Sequence, residues 1–470
     1  MAPVSPAESL GGLDRAFLER YDLVGPRYTS YPTAPEWTRA VGPETLAAHL
    51  ATPQGPADRP LSIYLHLPFC WEHCTFCACN VIISSKGRAV SDPYVNGLER
   101  EIDLLAERVD RTRPVVQFHW GGGTPTYLEP DQLRRLHDLI ASRFRLAPDV
   151  EQSVEVHVAW TTDAQLRTLA ELGFNRLSLG VQDFDEATQR AINRVQSFDR
   201  TREITELARE LGFQGINYDL VYGLPHQTEA SWAPTLDKVA ALRPDRIALY
   251  NFAYLPERLA HQRAIDPATL PEGETKFRIF VASHDRFRAE GYDYIGMDHF
   301  ALPEDELARA RLEGTLHRNF MGFSTRAGAD LIAAGISAIS AVGDLYAQNV
   351  KKLSDYAEAL GRGHLPTERG YLLTPDDRLR RRLISDVMCR GRIETSPLAE
   401  QFGIDFRMYF APEIEELEPL LADGLLGPTE SGWELTFLGR LFARNVAMIF
   451  DAHLRRRRAQ GQRQLFSRTL

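Results

Sequence analysis

The sequence predicts an α/β fold: an open, partial (β/α)6 barrel of the TIM type, preceded by an N-terminal arm and followed by a mainly helical C-terminal domain. Three observations carry this expectation. Strand-like alternation and helix-like periodicity succeed one another six times between residues 61 and 252, the pattern of parallel βα units. The chemically conspicuous residues of that stretch fall at or just past the ends of the expected strands, where barrels of this kind gather their function. Beyond Leu255 the pattern turns helical, and near Pro366 the composition shifts again. The expected divisions are an arm over residues 1–55, a barrel with an extension over 56–365, and a C-terminal domain over 366–470.

Residues 21–33 read YDLVGPRYTSYPT, rich in aromatics and turn formers. Such a segment forms no core by itself and is expected to lie on the main domain, either as a packing arm or as a cover over a site mouth. The run LSIYLHL at 61–67 alternates as a strand does, Pro68 stops it, and a cysteine-rich loop follows directly. Tyr94, Leu98, Ile102, Leu105 and Val109 give helical spacing to residues 92–109. A strand over 115–120 runs into Gly121-Gly122-Gly123-Thr124, and a helix over 131–144 follows. Further strands are expected over 153–158, 175–182, 215–222 and 246–252, with helices over 163–172, 185–192, 201–211 and 231–242 between them. A helix over 274–290 and a strand over 292–297 come next, then a polar–aromatic loop at 316–323, LHRNFMGF. The C-terminal part reads as helices over 376–389, 397–402, 409–423 and 438–454 with a hairpin over 426–435. That resembles a winged-helix-like module. Its acidic run at 413–418 argues against nucleic acid and for a lid or substrate-shaping role.

With 44% hydrophobic and 25% charged residues the chain has an ordinary globular composition. It has no apolar run of spanning length, and its first ten residues lack a basic segment followed by an apolar one, so the reducing cytosol is the expected compartment. A net charge of -10 opposes general nucleic-acid binding. The four arginines at 455–458 read as a solvated helix end.

Four of the five cysteines fall within ten positions: Cys70, Cys74, Cys77 and Cys79. Soft thiolates this close select zinc, copper or an iron–sulfur cluster. Zinc would need a second ligand pair, and the distant Cys389 has no cysteine or histidine at ligand spacing. A cubane cluster takes four thiolates; the first three cysteines, spaced C-x3-C-x2-C, would leave one iron open to a small molecule. Crowded structural or redox-paired cysteines are the alternative, one that a reducing compartment disfavours.

This spacing resembles the signature of radical S-adenosylmethionine (SAM) enzymes, in which an electron from the cluster cleaves SAM into methionine and a 5'-deoxyadenosyl radical. From Tyr21 to the C-terminus the chain is similar to the HemN-type, oxygen-independent coproporphyrinogen III dehydrogenases of haem biosynthesis. The segments that carry the similarity are YDLVGPRYTSYPT, SIYLHLPFCWEHCTFCACN, HWGGGTPTYL, NRLSLGVQDF, DLVYGLP, IGMDHFALPEDEL, LHRNF and ISAIS. The resemblance implies a partial radical SAM barrel, a [4Fe-4S] cluster on Cys70, Cys74 and Cys77, and two SAM molecules side by side. It implies oxidative decarboxylation of two propionates of coproporphyrinogen III to the vinyls of protoporphyrinogen IX. It further implies an electron donor for the cluster, no nucleic-acid or membrane partner, and a monomer in the cytoplasm.

The same resemblance places residues. Tyr64 and His66 alternate with apolar neighbours and so share one strand face; they would be catalytic, with Tyr64 against the first SAM. Phe76 would touch the second. Gly122, Gly123 and Thr124 would line the SAM amino-acid portion, where missing Cβ atoms allow close approach. Glu155 would meet the SAM ammonium or ribose. Gln182, Arg194 and Asp219 would contact the second SAM, Arg194 holding a carboxylate by paired hydrogen bonds and Asp219 accepting from ribose hydroxyls. Ala253 and Ile339 would supply close packing. Cys79 is expected to be a small buried side chain and no ligand. Two departures stand out: His157-Val158-Ala159-Trp160 replaces the family's Asp-Pro-Arg, and Met321 stands where some relatives carry Gln. The competing expectations are a HemN-like radical SAM enzyme with another outcome, and a haem-binding chaperone. Cys79 and the long arm oppose the chaperone.

Overall fold

The computed structural model describes residues 15–52, 59–462 and 466–469. These form two compact units, one of residues 38–271 with 328–372 and one of residues 15–37 with 272–327 and 373 onward.

The first unit is the barrel. Its elements are β1 (Leu61–Leu67), α1 (Arg88–Ala106), β2 (Pro114–Gly122), α2 (Pro130–Arg143), β3 (Arg145–Val156), α3 (Asp163–Glu171), β4 (Arg176–Gln182), α4 (Glu186–Ala191), α5 (Phe198–Glu210), β5 (Gly215–Tyr222), α6 (Glu229–Leu242) and β6 (Arg246–Asn251). After the chain returns from the other unit come β7 (Asp330–Ala334), β8 (Ile339–Val342), β9 (Leu345–Asn349), α7 (Leu353–Gly361) and β10 (Thr367–Leu372). The strand order is β10-β9-β8-β7-β1-β2-β3-β4-β5-β6. From β7 through β6 every pairing is parallel; β8, β9 and β10 continue antiparallel.

The six expected βα units are present. What the sequence pattern did not show is β7, a further parallel strand laid on the free edge of β1, and the antiparallel β8–β10 beyond it. The reason is physical: every residue of Asp330–Ala334 is buried, so the strand has no polar face and no period of two. Strand faces elsewhere follow burial. In β1 only Tyr64 is partly exposed, as a parallel strand covered on both sides requires. On α2, Leu133, Leu136 and Ile140 recur at helical spacing and are almost wholly buried. Thr162 and Gln165 cap α3 reciprocally. Deep in the barrel, Ser62 donates to Gln117 (2.9 Å), Gln117 donates to Glu151 (2.8 Å), and Arg176 Nε lies 3.3 Å from Glu151. This relay satisfies buried polar groups of four strands, with Ser62, Gln117 and Glu151 at one level and Arg176 two residues further along.

The arm divides. Its helix Pro43–Ala51 belongs to the barrel unit and buries Leu46 and Leu50, whereas residues 15–37, including the segment 21–33 expected on the main domain, belong to the second unit. Tyr21, Tyr28 and Tyr31 sit in the core of the second unit with Leu383, Phe410, Phe442 and Phe450. Tyr28 donates to Asp451 (2.9 Å), and buried Arg444 donates to the carbonyls of Gly25 and Pro26. The arginine run is a solvated end only in part: Arg456 and Arg458 are exposed, whereas Arg457 pairs with Glu36 and Arg455 lies 3.1 Å from Glu416.

The second unit also carries a three-stranded antiparallel sheet of Arg392–Glu394, Gly432–Leu435 and Leu426–Thr429, which contains the expected hairpin. The expected helix over 409–423 is three pieces, Phe406–Tyr409, Ala411–Glu415 and Glu418–Ala422. Pro412 and Pro419 restart it because proline donates no N–H to the preceding turn. Residues 438–454 are broken into Phe437–Leu441, Ala443–Ile449 and Ala452–Ala459. Glu413 of the acidic run points inward, accepting from Arg380 at 3.0 Å.

Candidate active site

The site lies at the C-terminal rim of the parallel strands, within the barrel unit. Register builds it. Tyr64, His119 and Ser153 stand level on β1, β2 and β3. Glu155, Ser178 and Asn217 stand level on β3, β4 and β5, and Gly180 stands beside Asp219. Residues two apart share a strand face, so these side chains form one inward-facing layer.

Tyr64 and His66 are joined. His66 Nε2 lies 2.9 Å from the Asn80 carbonyl, which can only accept, so Nε2 carries the proton. Nδ1 is then an acceptor and takes the Tyr64 O–H at 3.1 Å. Burial lowers the His66 pKa and keeps the ring neutral; burial also holds the Tyr64 phenol far above its ordinary range, leaving it an O–H donor. Gly122 has φ of 109°, and a Cβ there would stand 2.4 Å from the His66 ring. Only glycine suits both the conformation and the contact.

Glu155 accepts the Gly122 N–H at 3.0 Å and faces His119 Nε2 at 3.4 Å, while Ser153 donates to His119 Nδ1 at 2.6 Å. Burial pushes the Glu155 carboxyl up, but the His119 and Gly122 bonds outweigh it and hold the pKa below the ordinary value. The His119 ring stacks on Tyr64, centroids 5.7 Å apart. The Gly123 and Thr124 N–H groups donate to the Leu67 and Phe69 carbonyls at 2.9 Å. This glycine run therefore meets a ligand by carbonyl oxygen or by close approach.

The cysteine loop is tied to the rim at several points. Thr75 donates its N–H to Ile192 and its hydroxyl to Ala191, and Asn193 donates to the His73 carbonyl. Each of the first three cysteines has a donor at sulfur. The Thr124 hydroxyl is 3.4 Å from Cys70 Sγ, Arg194 Nη1 is 3.6 Å from Cys74 Sγ, and the Cys79 N–H is 3.4 Å from Cys77 Sγ. Burial pushes the Cys70 thiol up to about 11 and raises Cys74 against the pull of Arg194. Hydrogen bonding from Cys79 draws Cys77 down to about 7 despite burial. Donors aimed at all three sulfurs suit thiolate ligands. Among the described residues no three ligand side chains converge as on a single metal ion; a cubane instead takes each thiolate on a separate iron. The residues present fit such a cluster. Cys79 is exposed rather than buried, which corrects the expectation for that side chain.

Arg194 Nη2 donates to the Gly180 carbonyl at 2.8 Å, and its Nε is buried with no hydrogen-bond partner among the described residues. Gln182 adopts a left-handed φ of 64° at the end of β4. Asp219 accepts from Ser178 (3.1 Å) and Asn217 (3.0 Å). Burial and the Glu155 charge push its pKa up to about 6 against those bonds. Phe76 packs against Ile192, Val221, Leu224, Phe252 and Ile265. Gln262, wholly buried, donates to both the Phe76 and Ala253 carbonyls. Ile339 opens β8, which runs antiparallel to β7, the parallel strand paired with β1.

His157, the first departure, continues the inward face of β3. Its pKa falls to about 2 through burial and the nearby Arg194 charge, so the ring is neutral. Trp160 of the same turn stacks on Trp71 beside Cys70, centroids 5.4 Å apart. Met321, the second departure, sits in the other unit, where its N–H donates to Asn319.

Sequence reasoning missed His119, Ser153, Ser178 and Asn217. Ser153 and Asn217 lie two residues before Glu155 and Asp219, Ser178 lies four before Gln182 and His119 two before the glycine run, so the period of two carried the signal. Asn80, His261 and Gln262 gave none.

The Radical SAM superfamily profile matches residues 64–239, and the HemN C-terminal domain profile matches residues 373–442. A Pseudomonas aeruginosa protein called oxygen-independent coproporphyrinogen III oxidase is 44% identical, over 97% of this chain and 98% of its own. A Helicobacter pylori protein of the same name is 40% identical, over 97% and 99%. The structure of the coproporphyrinogen III oxidase HemN from Escherichia coli, described as a radical SAM enzyme, superposes with a TM-score of 0.88 at 44% identity, covering 91% of this chain and 98% of that one.

Proposed function

The chain belongs to the oxygen-independent coproporphyrinogen III oxidase family of radical SAM enzymes, and we propose that its rim performs that family's reaction. The enzyme is a radical SAM oxidoreductase with a [4Fe-4S] cluster and SAM. The reaction is the oxidative decarboxylation of two propionates of coproporphyrinogen III to vinyls, giving protoporphyrinogen IX for haem. The observation that carries the proposal is one strand rim that sets three donor-supported thiols beside the joined Tyr64, His66, Gly122 and Glu155.

Cys70, Cys74 and Cys77 would hold the cluster. When bound, it supplies the electron that cleaves SAM to methionine and a 5'-deoxyadenosyl radical. The protein's part is placement and exclusion of water. The carbonyl side of the Gly122–Gly123 turn suits an ammonium. Glu155, held ionised by His119 and the Gly122 N–H, suits an ammonium or ribose hydroxyls. Arg194 keeps an unpaired Nε beside Gln182 for a carboxylate, and Asp219 offers a ribose acceptor. These two groupings, on β1–β3 and on β4–β5, underlie our proposal of two SAM molecules. Tyr64 presents its phenolic oxygen to the first as an acceptor, with His66 accepting the O–H and fixing its direction from behind; His66 has both ring nitrogens engaged and acts as a positioning residue. Phe76 and Ala253, joined through Gln262, would border the second, and Ile339 would contribute packing.

We further propose coproporphyrinogen III and a one-electron donor as partners, with neither nucleic acid nor membrane, and a monomer working in the cytoplasm. No helix among the described residues is long and apolar enough to cross a membrane. The segment from about residue 366 is proposed as a lid or substrate-shaping domain.

Cys74→Ala should lose both cluster iron and SAM cleavage, whereas Tyr64→Ala should keep the iron and lose decarboxylation. Iron analysis with 5'-deoxyadenosine assay separates them. SAM cleavage retained in Cys74→Ala would reject the ligand set, and an undiminished rate in Tyr64→Ala would reject its role.

A further inference from the structure

Each proposed ligand cysteine has its own anchor, and the anchors come from different parts of the barrel. The Cys70 backbone is held by a two-residue parallel pairing, with the Ser84 N–H donating to its carbonyl at 3.0 Å. Cys74 is held by the 191–194 turn through Asn193 and Arg194. Cys77 has a third anchor, outside every motif that marks the site: the short helix Ala260–Ala264 that follows β6.

His261 of that helix places Nε2 2.6 Å from the Cys77 carbonyl oxygen. A carbonyl cannot donate, so Nε2–H is the donor. The same ring lies against His73, centroids 4.0 Å apart and planes at 36°, so His261 meets the cysteine loop on both sides of Cys74. The next residue, Gln262, has no exposed surface. It donates to the Phe76 carbonyl (3.4 Å) and the Ala253 carbonyl (3.1 Å) and accepts the Leu255 N–H (2.5 Å). Two adjacent side chains thus hold two successive carbonyls, those of Phe76 and Cys77. Polar groups behind a ligand fix its direction and tune what it binds.

We infer that His261 and Gln262 are positioning residues for the third cluster ligand, and that the His261 hydrogen bond to the Cys77 carbonyl sets how firmly the cluster is kept. This rests on the cluster assignment of the proposed function. A shape filler against His73 would need only a flat ring; the inference requires the N–H.

The test uses the full chain, reconstituted anaerobically with iron and sulfide, as parent, His261→Phe and His261→Gln. Phenylalanine keeps the ring against His73 and removes the donor; glutamine removes the ring and keeps a donor. The readouts are the rate of iron release to a ferrous chelator and the reduction midpoint of the cluster. His261→Phe should release iron on the order of 10-fold faster, with a shifted midpoint, the scale seen when a group behind a metal ligand is lost. His261→Gln should stay near the parent. Parent-like retention in His261→Phe would overturn the inference, and so would fast release from His261→Gln. If His261→Phe fails to fold by circular dichroism, the His261→Gln comparison alone decides it. A parent protein that takes up no iron and sulfide fails at the cluster assignment instead, so the two failures are distinct.

Discussion

Gly122 shows how much of the site rests on one missing side chain. Its φ of 109° and the 2.4 Å approach of a Cβ to the His66 ring leave no room for alanine. Gly122→Ala should cost about 2 kcal/mol of stability and push His66 off Tyr64, so decarboxylation should fall further than iron content does. Thermal unfolding beside turnover checks this; a variant with parent stability and rate would show that the backbone yields. Asp219 gives a pH signature. Its pKa stands at about 6, raised by burial and by Glu155. Above that pH it is a carboxylate able to accept two ribose hydroxyls; below, it is protonated and a poorer acceptor. SAM affinity should therefore weaken as pH falls through about 6, and Asp219→Asn should bind on the order of 10-fold more weakly with that pH step removed. A titration series in SAM reads both, and a step that persists in Asp219→Asn would assign it to another group. At this scale the sequence was most legible for glycines and cysteines, whose chemistry is in the letter itself. His119 and Asn217 were not, since a polar residue on a strand declares its partner only once the register with the next strand is known.

At the scale of elements, strands and helices of the barrel proper were legible because apolar period and strand-end punctuation agreed. They failed where one signal vanished. Asp330–Ala334 is buried on both faces and alanine-rich, so β7 carried no alternation. The C-terminal helices kept helical spacing across Pro412 and Pro419, and the spacing hid the breaks. One contact there is testable. Asp377 caps the helix Pro375–Arg390 with Thr374, and its other oxygen accepts His453 Nε2 at 2.7 Å from the helix Ala452–Ala459. Burial pushes this carboxyl up, but the His453 and Thr374 bonds prevail and hold it at about 2 against an ordinary 3.8. A depressed carboxyl stabilises the fold above its unfolded pKa and loses that contribution as pH falls through the folded one. The window is therefore from about 4 down to about 2. Asp377→Asn should lower stability near neutrality by about 2 kcal/mol and flatten the acid limb of the unfolding curve. Acid titration of both proteins decides it, and an unchanged limb would place the acid sensitivity in another pair.

For the whole molecule, chain order and spatial order diverge. Residues 15–37 open the described chain yet pack with its end, through Tyr21, Tyr28, Arg444 and the Arg457–Glu36 pair. Composition could mark the arm as aromatic and coreless, but not name its host, because an aromatic segment fits any apolar face. The barrel and its rim, by contrast, were predictable as a whole, since six βα units dictate where their C-terminal ends lie. The proposed reaction has this rim use SAM to decarboxylate two propionates of one tetrapyrrole. The direct measurement is anaerobic: reconstitute and reduce the protein, add SAM and coproporphyrinogen III, and count 5'-deoxyadenosine and porphyrin products by mass spectrometry. The expected result is protoporphyrinogen IX with two 5'-deoxyadenosines for each. 5'-Deoxyadenosine without vinyl product would contradict it, leaving the radical SAM barrel in place and moving the substrate elsewhere, with the His157 to Trp160 turn and Met321 as the first residues to exchange.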